Sequence, residues 1–167
     1  AFTFLKALGY NVGKSLCEDD KCDIALDLLD QAKKLNKNIQ LPVDVVVSDN
    51  FNGNGDIRTV TIKNIPENMM GLDIGEKSLA EVKKSIKKAQ TVIWNGPLGV
   101  FEVEEFSHGT CEVAKSLASS NAVSIVGGGD SVAAVKKTGV SIKMSHISTG
   151  GGACLEFLEG KVLPGIA

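Results

Sequence analysis

Residues 122–131 read AVSIVGGGDS. The apolar run Ala122–Val126 predicts a short buried strand, and the glycines after it predict a tight turn into a helix through Val135. Two further segments repeat this arrangement: residues 91–102 read TVIWNGPLGVFE, and residues 145–153 read SHISTGGGA. Each of the three segments therefore predicts a strand, a turn and the beginning of a helix.

The alternation of short apolar strands with helices predicts an α/β fold. Right-handed crossovers between such units give a doubly wound, mostly parallel sheet with helices on both faces, which is a Rossmann-like three-layer domain. We expect residues 1–167 to form one such domain. Ligands of these sheets bind beyond the carboxyl ends of the strands. The expected ligand-binding turns are therefore 95–97, 127–130 and 149–152.

The first half of the chain has a less regular pattern. An opening helix is expected to stop at Gly9, and a second helix carries an apolar stripe that we expect to pack on a sheet. A buried strand is predicted over 43–47 and an edge strand over 57–63, with a loop rich in Asn and Gly between them. The stripe on the second helix consists of Cys22, Ala25, Leu28, Leu29, Ala32 and Leu35.

The two glycine runs, 127–129 and 150–152, predict sites for phosphate. A helix N-terminus has unpaired N–H groups and the positive end of the helix dipole, and glycine lets an anion approach the backbone. Asp130 is placed at the cap position of its helix, as a magnesium ligand or as an ordinary N-cap, and the adjacent glycines favour the magnesium ligand. Neither run matches the dinucleotide fingerprint, because Val132 and Leu155 stand where glycine is required.

Residues 95–102 combine a polar amide, a rigid turn, apolar side chains and a carboxylate. One interpretation assigns Asn95 to phosphate, Pro97 and Val100 to an adenine face, and Glu102 to ribose hydroxyls. The other interpretation is a plain loop before a helix. The segment Gly9–Ser15, GYNVGKS, is similar to a P-loop, but it has three residues between its glycines instead of four and follows a helix. We interpret it as a helix stop and a turn.

The composition argues against several classes of protein. A net charge of −2 and a pI near 5.7 argue against a nucleic-acid partner, since that requires clustered positive charge. No segment is typical of a signal peptide or a membrane span, so we expect a cytoplasmic protein. Two distant histidines and four unpaired cysteines make a structural zinc site improbable. Arg58 is the only arginine, so an anionic ligand would be held by backbone and lysine, or a piece is missing.

Taken together, the motifs resemble the C-terminal, nucleotide-binding domain of the phosphoglycerate kinase family. The resemblance covers nearly the whole chain, and its specificity lies in the joint order of the motifs. The segments that carry it are 1–5 (AFTFL), 41–44 (LPVD), 71–75 (GLDIG), 94–102 (WNGPLGVFE), 127–131 (GGGDS) and 145–153 (SHISTGGGA).

The resemblance implies reversible phosphoryl transfer between 1,3-bisphosphoglycerate and Mg-ADP, which gives 3-phosphoglycerate and Mg-ATP in glycolysis. It implies Mg²⁺ as cofactor and ADP or ATP as co-substrate, with Glu102 on the ribose and His146 near the hinge between two domains. Asp130 would be the metal ligand. By the same resemblance, the adenine would lie among Leu16, Phe51, Gly71, Leu72, Pro97 and Val100.

The glycine runs receive separate roles from the resemblance. Gly129 would act in catalysis as well as in nucleotide binding, and Gly150, Gly151 and Gly152 would offer N–H groups to the phosphoryl group in flight. The nucleotide phosphates and magnesium would be served by Asn95, Gly128, Gly129, Asp130 and Ser131.

The resemblance also implies that the chain is a fragment. Family members carry a first strand with lysines and a glycine-rich turn before Ala1, and before those a domain that binds phosphoglycerate. The fragment is therefore expected to be inactive alone, and the full-length form to be monomeric. The alternative is a non-enzymatic phosphate- or sugar-phosphate-binding regulatory module. Cys154, in the first turn of its helix, is expected to be a small packed residue, and a reactive thiol is the alternative.

Overall fold

Two three-stranded sheets organise the structure, a computed structural model that describes residues 1–148 and 150–162. Short 3-10 turns lie at Asp19–Lys21, Ile62–Asn64, Glu104–Phe106 and Ser141–Lys143. The elements are α1 (Phe2–Ala7), α2 (Cys22–Lys34), β1 (Asp44–Ser48), β2 (Ile57–Thr61), β3 (Met70–Ile74), α3 (Glu76–Lys88), β4 (Thr91–Asn95), α4 (His108–Ala118), β5 (Val123–Gly127), α5 (Gly129–Lys137), β6 (His146–Ser148) and α6 (Gly151–Leu158).

The second half of the chain forms a parallel sheet in the order β4-β5-β6. Helices α3, α4, α5 and α6 alternate with these strands along the chain, which confirms the predicted α/β class. The register places Asn95 opposite Gly127, and Gly127 opposite Ser148. The carboxyl ends of the three strands therefore stand level at one edge of the sheet, where the predicted turns begin.

The first half forms a separate antiparallel sheet in the order β2-β1-β3, which the sequence did not predict. Strand β1 lies in the centre, and Val45 and Val47 form a small core with Ile65 and Met69 beneath it. Strand β2 is the predicted edge strand and contains only half-buried and exposed residues. Strand β3 was missed because its sequence, MGLDI, has no regular alternation of apolar and polar residues.

The main core lies between the parallel sheet and helices α3, α4 and α5. Trp94 and Val126 belong to this core from the strands. Leu79 of α3, Leu117 of α4 and Val135 of α5 are among the helix residues that pack against them. All five are less than 9% exposed, so this core fixes the helices whose first turns border the edge of the sheet. Burial of such side chains contributes roughly 1.5–3 kcal/mol each.

Helix α2 does not pack on a sheet, in contrast to the sequence-based expectation. It packs mainly on α1 within the described residues. Ala25 is buried, but Leu28 and Leu35 of the predicted stripe are 44% and 67% exposed. The pattern gave the helix correctly, and the expectation failed because no described strand covers the stripe.

Helix α3 is joined to β1 by the buried carboxylate of Asp44. Its two oxygens accept hydrogen bonds from the amides of Lys77 and Ser78, at 3.1 and 2.8 Å, in the first turn of the helix. The Ser78 hydroxyl lies 2.6 Å from the same carboxylate. Asp44 therefore caps α3 from a neighbouring strand. Among the described residues, no helix has the length and apolar character that a membrane span requires.

Candidate functional site

The segment that follows β4, residues 96–103, is here called the β4 loop. Gly96 has φ +101°, a left-handed conformation that glycine adopts without strain. Its N–H donates to the Ser131 hydroxyl at 2.6 Å, and its carbonyl accepts from the Trp94 indole at 2.7 Å. Side chains from β4 and α5 therefore fix the first residue of the loop.

The middle of the β4 loop is held by backbone amides that point inward. The N–H groups of Leu98 and Gly99 donate to the Thr110 hydroxyl at 3.0 and 3.2 Å. The Val100 N–H donates to the Leu72 carbonyl at 2.8 Å. The loop is thereby joined to α4 on one side and to β3 of the antiparallel sheet on the other. These amides are already paired, so the loop offers its side chains rather than its N–H groups to a ligand.

A cavity of about 560 Å³ lies between the β4 loop, β3 and the chain around α1, and we call it the apolar cavity. Its lining is largely apolar and includes the charged residues Lys14 and Asp73. Leu16 and Phe51 stand at its open side, where they are 92% and 52% exposed. The cavity brings together the six residues assigned to adenine: Leu16, Phe51, Gly71, Leu72, Pro97 and Val100.

A second cavity of about 320 Å³, the glycine cavity, lies at the carboxyl edge of the parallel sheet. The first-turn amides of α5 have no partner within the helix, because the first intrahelical bond runs from the Val132 N–H to the Gly128 carbonyl at 3.0 Å. Gly128 precedes the helix with φ +88°. The lining consists of Asn95, Gly96, Gly128, Gly129, Asp130, Ser131, Gly152 and Leu155.

The structure corrects the position of Asp130. Gly128, not Asp130, occupies the cap position of α5, and a glycine has no side chain with which to make a capping hydrogen bond. Asp130 lies in the first turn, exposed, and lines the glycine cavity. No group of three potential metal ligands occurs among the described residues. A single exposed carboxylate fits Mg²⁺, since that ion is commonly bound by one or two carboxylates together with substrate phosphates and water.

Other predicted site residues lie outside the two cavities or already have hydrogen-bond partners. Glu102 is exposed and is not among the residues that line either cavity. Ser131 lines the glycine cavity but is fully buried, and its hydroxyl already accepts the Gly96 amide. The Gly150 N–H donates to the Ser148 hydroxyl at 3.3 Å. His146 is exposed.

Helix α6 begins at Gly151, so the second glycine run leads directly into a helix. Gly152, the third glycine of this run, lines the glycine cavity. The predictions for the side chain of Cys154 lie outside the described residues.

The segment Gly9–Ser15 is a helix stop and a turn, as predicted. Gly9 has φ +86°, and the Gly13 N–H is held by the Asn11 side chain at 2.9 Å. The Ser15 hydroxyl accepts the Gly71 amide at 2.9 Å, so the turn is fastened to β3. Sequence reasoning missed that this turn brings Lys14 to the apolar cavity. The basic residue in the P-loop-like motif was the available signal.

Sequence reasoning also missed Asp73 and Thr110. Asp73 is 3% exposed and accepts hydrogen bonds from the amides of Gly109 and Ile74, each at 2.8 Å. Burial raises the pKa of the Asp73 carboxyl above its ordinary value, although both hydrogen bonds act in the opposite direction. The polar residue in an otherwise apolar segment, GLDIG, was a signal for Asp73. Thr110 is a single threonine within a helix, and nothing in the sequence around it indicated a role.

The fold and the two cavities define an α/β protein with one cavity at the carboxyl edge of a parallel sheet and another beside a second, antiparallel sheet. The model of the phosphoglycerate kinase family matches residues 1–161. The chain therefore belongs to the phosphoglycerate kinase family.

Similar proteins agree with this assignment. The chain is 56% identical to phosphoglycerate kinase of Thermosipho africanus and 58% identical to that of Acaryochloris marina, over 99% of its length in both alignments. The structure of phosphoglycerate kinase from Coxiella burnetii matches 96% of this chain with a TM-score of 0.93 and 45% identity. The enzyme from Pyrococcus horikoshii matches 98% of it, with a TM-score of 0.82 and 34% identity. The chain spans about 42% of the two sequence relatives, and 42% and 41% of the two structures.

Proposed function

We propose that this chain supplies the nucleotide side of reversible phosphoryl transfer between 1,3-bisphosphoglycerate and Mg-ADP, a step of glycolysis. One observation supports this most directly. The chain from Asn95 to Val100 lines both cavities, with Asn95 and Gly96 at the glycine cavity and the segment from Pro97 onward at the apolar cavity. A ligand with an apolar ring at one end and phosphates at the other matches two cavities that share one loop.

The apolar cavity would hold the adenine. Its volume of about 560 Å³ and its largely apolar lining are typical of small-molecule sites, which use few polar groups for orientation. Pro97 and Val100 would contact one side of the ring, and Gly71 and Leu72 of β3 the other. Leu16 and Phe51 would cover it from the open side. Glu102 is exposed and would require movement of the nucleotide or of the loop to reach the ribose.

The glycine cavity would hold the phosphates. The first-turn amides of α5 have no partner within the helix, and together with the positive end of the helix dipole they favour an anion at Gly128 and Gly129. Asn95 is exposed and pairs with Gly127 at the end of the neighbouring strand, so it adds an amide group next to the start of α5. Asp130 would hold the magnesium ion, which supplies positive charge to the phosphates when it is bound. The N–H groups at the start of α6, including that of Gly152, would face the transferred group.

The chemistry requires little covalent help from the protein. A β-phosphate oxygen of ADP attacks the phosphorus of the acyl phosphate, and the bond between that phosphorus and the carboxyl oxygen breaks to release a carboxylate. No proton has to move, so the residues act by positioning the groups and by stabilising the charge on the equatorial oxygens. The paired backbone of the β4 loop would keep the nucleotide in line, and the N–H groups at both helix starts would stabilise that charge.

Phosphoglycerate would be held mainly by parts of the relatives that lie outside this chain. We therefore expect the 167-residue chain to bind Mg-ADP without forming ATP at an appreciable rate. Family membership also leads us to propose cytoplasmic action and a monomeric full-length form. Substantial ATP formation by the 167-residue chain from 1,3-bisphosphoglycerate and ADP would contradict the expected inactivity.

Trp94 provides the experiment that tests the binding role. Its indole is 8% exposed and donates to the Gly96 carbonyl at the start of the β4 loop, so its fluorescence should respond when the loop is occupied. We expect Mg-ADP to change this fluorescence saturably, and inorganic phosphate to change it only at far higher concentration. The alternative, a regulatory module for sugar phosphates, predicts tighter binding of a sugar phosphate than of Mg-ADP. That order of affinities would reject the kinase role.

A further inference from the structure

The first turn of α4 holds the β4 loop through one side chain. Thr110 is 0% exposed, and its hydroxyl oxygen accepts the N–H groups of both Leu98 and Gly99. One acceptor therefore serves two consecutive amides, directly between Pro97 and Val100 of the apolar cavity. The two amides are partly buried, and each would lose a favourable hydrogen bond without this acceptor, so the Thr110 oxygen stabilises this conformation of the loop.

Asp73 fixes the helix turn that presents Thr110. One carboxylate oxygen accepts the Gly109 amide and the other accepts the Ile74 amide, so the start of α4 is bound to the end of β3. Gly99 and Gly109 both approach this carboxylate so closely that a Cβ at either position would collide with it. The β4 loop, α4 and β3 thus meet at one buried polar cluster.

We propose that Thr110 is a positioning residue that holds the wall of the apolar cavity in its binding conformation, an inference that rests on the proposed function. It touches the loop and not the ligand. A loop that is already ordered loses less conformational entropy on binding, and its ligand binds more tightly for that reason. The effect falls on the ring end of the ligand, because Leu98 and Gly99 line the apolar cavity, whereas the one residue of the β4 loop at the glycine cavity, Gly96, is held by Ser131 of α5.

The test compares Thr110→Val with Thr110→Ser. Valine has nearly the same shape but no acceptor, whereas serine retains the hydroxyl. We expect Thr110→Val to weaken Mg-ADP binding about tenfold and Thr110→Ser to remain within about twofold of the original chain. Binding of magnesium pyrophosphate, which lacks a ring, should be the same in all three proteins. Affinities are measured by Trp94 fluorescence or calorimetry, and stability by urea unfolding.

Ser124→Ala is the matched control. The Ser124 side chain is 1% exposed and its hydroxyl accepts the Ser145 amide at 2.9 Å, at the start of β5 and away from both cavities. This variant also removes a buried acceptor from a backbone amide. We expect it to lower stability and to leave the affinity for Mg-ADP unchanged.

Three results would overturn the proposal: unchanged Mg-ADP affinity in Thr110→Val, equal losses for Mg-ADP and pyrophosphate, or no recovery in Thr110→Ser. If Thr110→Val does not fold, amide hydrogen exchange on the original chain decides. The proposal requires the amides of Leu98 and Gly99 to be protected before nucleotide is added, and rapid exchange would reject it. Absence of Mg-ADP binding by the original chain would instead reject the proposed function, and the role of Thr110 with it.

Discussion

Lys137, in the last turn of α5, donates a hydrogen bond of 2.7 Å from its Nζ to the carbonyl oxygen of Phe101 in the β4 loop. Ser131, in the first turn of the same helix, accepts the Gly96 amide at the other end of the loop. Helix α5 therefore holds the loop at both ends, while its own N-terminus lines the glycine cavity. The element that would bind phosphate also determines the path of the segment that would bind the base.

Replacement of Lys137 by methionine tests this connection. The variant keeps an unbranched side chain one atom shorter and removes the donor, so we expect the free energy of unfolding to fall by about 1 kcal/mol. Lys136→Met is the control, because Lys136 is an exposed neighbour on the same helix and its loss changes the net charge equally. Urea unfolding measures both variants. Equal losses would show that the bond to Phe101 contributes nothing.

Gly128 and Gly129 form a second matched pair. Gly128 has φ +88°, whereas Gly129 lies in α5, where an added Cβ would meet open space. We expect Gly128→Ala to lose about 1–2 kcal/mol of stability, because an L-residue is strained in the left-handed region. We expect Gly129→Ala to gain about 0.5 kcal/mol, because alanine favours the helix. Thermal unfolding gives the order, and a larger loss at Gly129 would contradict the assigned geometry.

Asp44 should make stability depend on pH. Burial acts to raise the pKa of this carboxyl, but hydrogen bonds from Ser78 and Lys77 outweigh burial and hold the pKa below 3.8. Because the folded-state pKa is lowered, the stabilisation is present above pH 3.8 and is lost as the pH falls below that value.

We therefore expect Asp44→Asn to cost about 2 kcal/mol at neutral pH, and the cost to shrink in acid. Urea unfolding of both proteins at neutral pH and at a pH below 3.8 measures how the cost of the substitution changes. Asp23→Asn removes an exposed carboxylate from the first turn of α2 and serves as the control. A cost for Asp44→Asn that stays constant across this range would contradict the pKa direction.

Asp130 should affect nucleotide binding only when magnesium is present. We expect Asp130→Asn to weaken binding of Mg-ADP about tenfold and to leave binding of ADP in EDTA unchanged, since the carboxylate is assigned to the metal. Titrations of the fluorescence of Trp94 with and without magnesium provide the comparison. The exposed Asp27→Asn on α2 controls for the change in net charge. If Asp130→Asn weakens ADP binding equally with magnesium and in EDTA, Asp130 is not a magnesium ligand.

The sequence was sufficient for the elements whose signals are local. An apolar run before the first glycine run marks β5, and the short segment 145–148 before the second glycine run marks β6. The structure has these strands, and the helices after them, within one or two residues of the predicted bounds. Pro97 and Val100 were assigned to adenine from the composition of residues 95–102, and the full set of six was named through the family resemblance. Their approach in space depends on the antiparallel sheet, which no local pattern indicated.

The remaining features depend on contacts between distant segments. Thr110 is separated from Leu98 by helix and loop, and Asp73 meets Gly109 across a gap of 36 positions. Neither residue type is distinctive in its own segment, so only the folded structure shows their contacts. The position of Asp130 was wrong by two residues because a glycine at the cap has no side chain to mark it.

The level register of Asn95, Gly127 and Ser148 has a consequence for insertions and deletions. One residue added to β5 would raise the following turn by roughly 3.3 Å and direct each later side chain to the opposite face of the sheet. The glycine turn would then stand out of line with Asn95 on one side and with the start of α6 on the other. Apolar residues within these strands can be exchanged for one another, but the number of residues between the core and the edge cannot change.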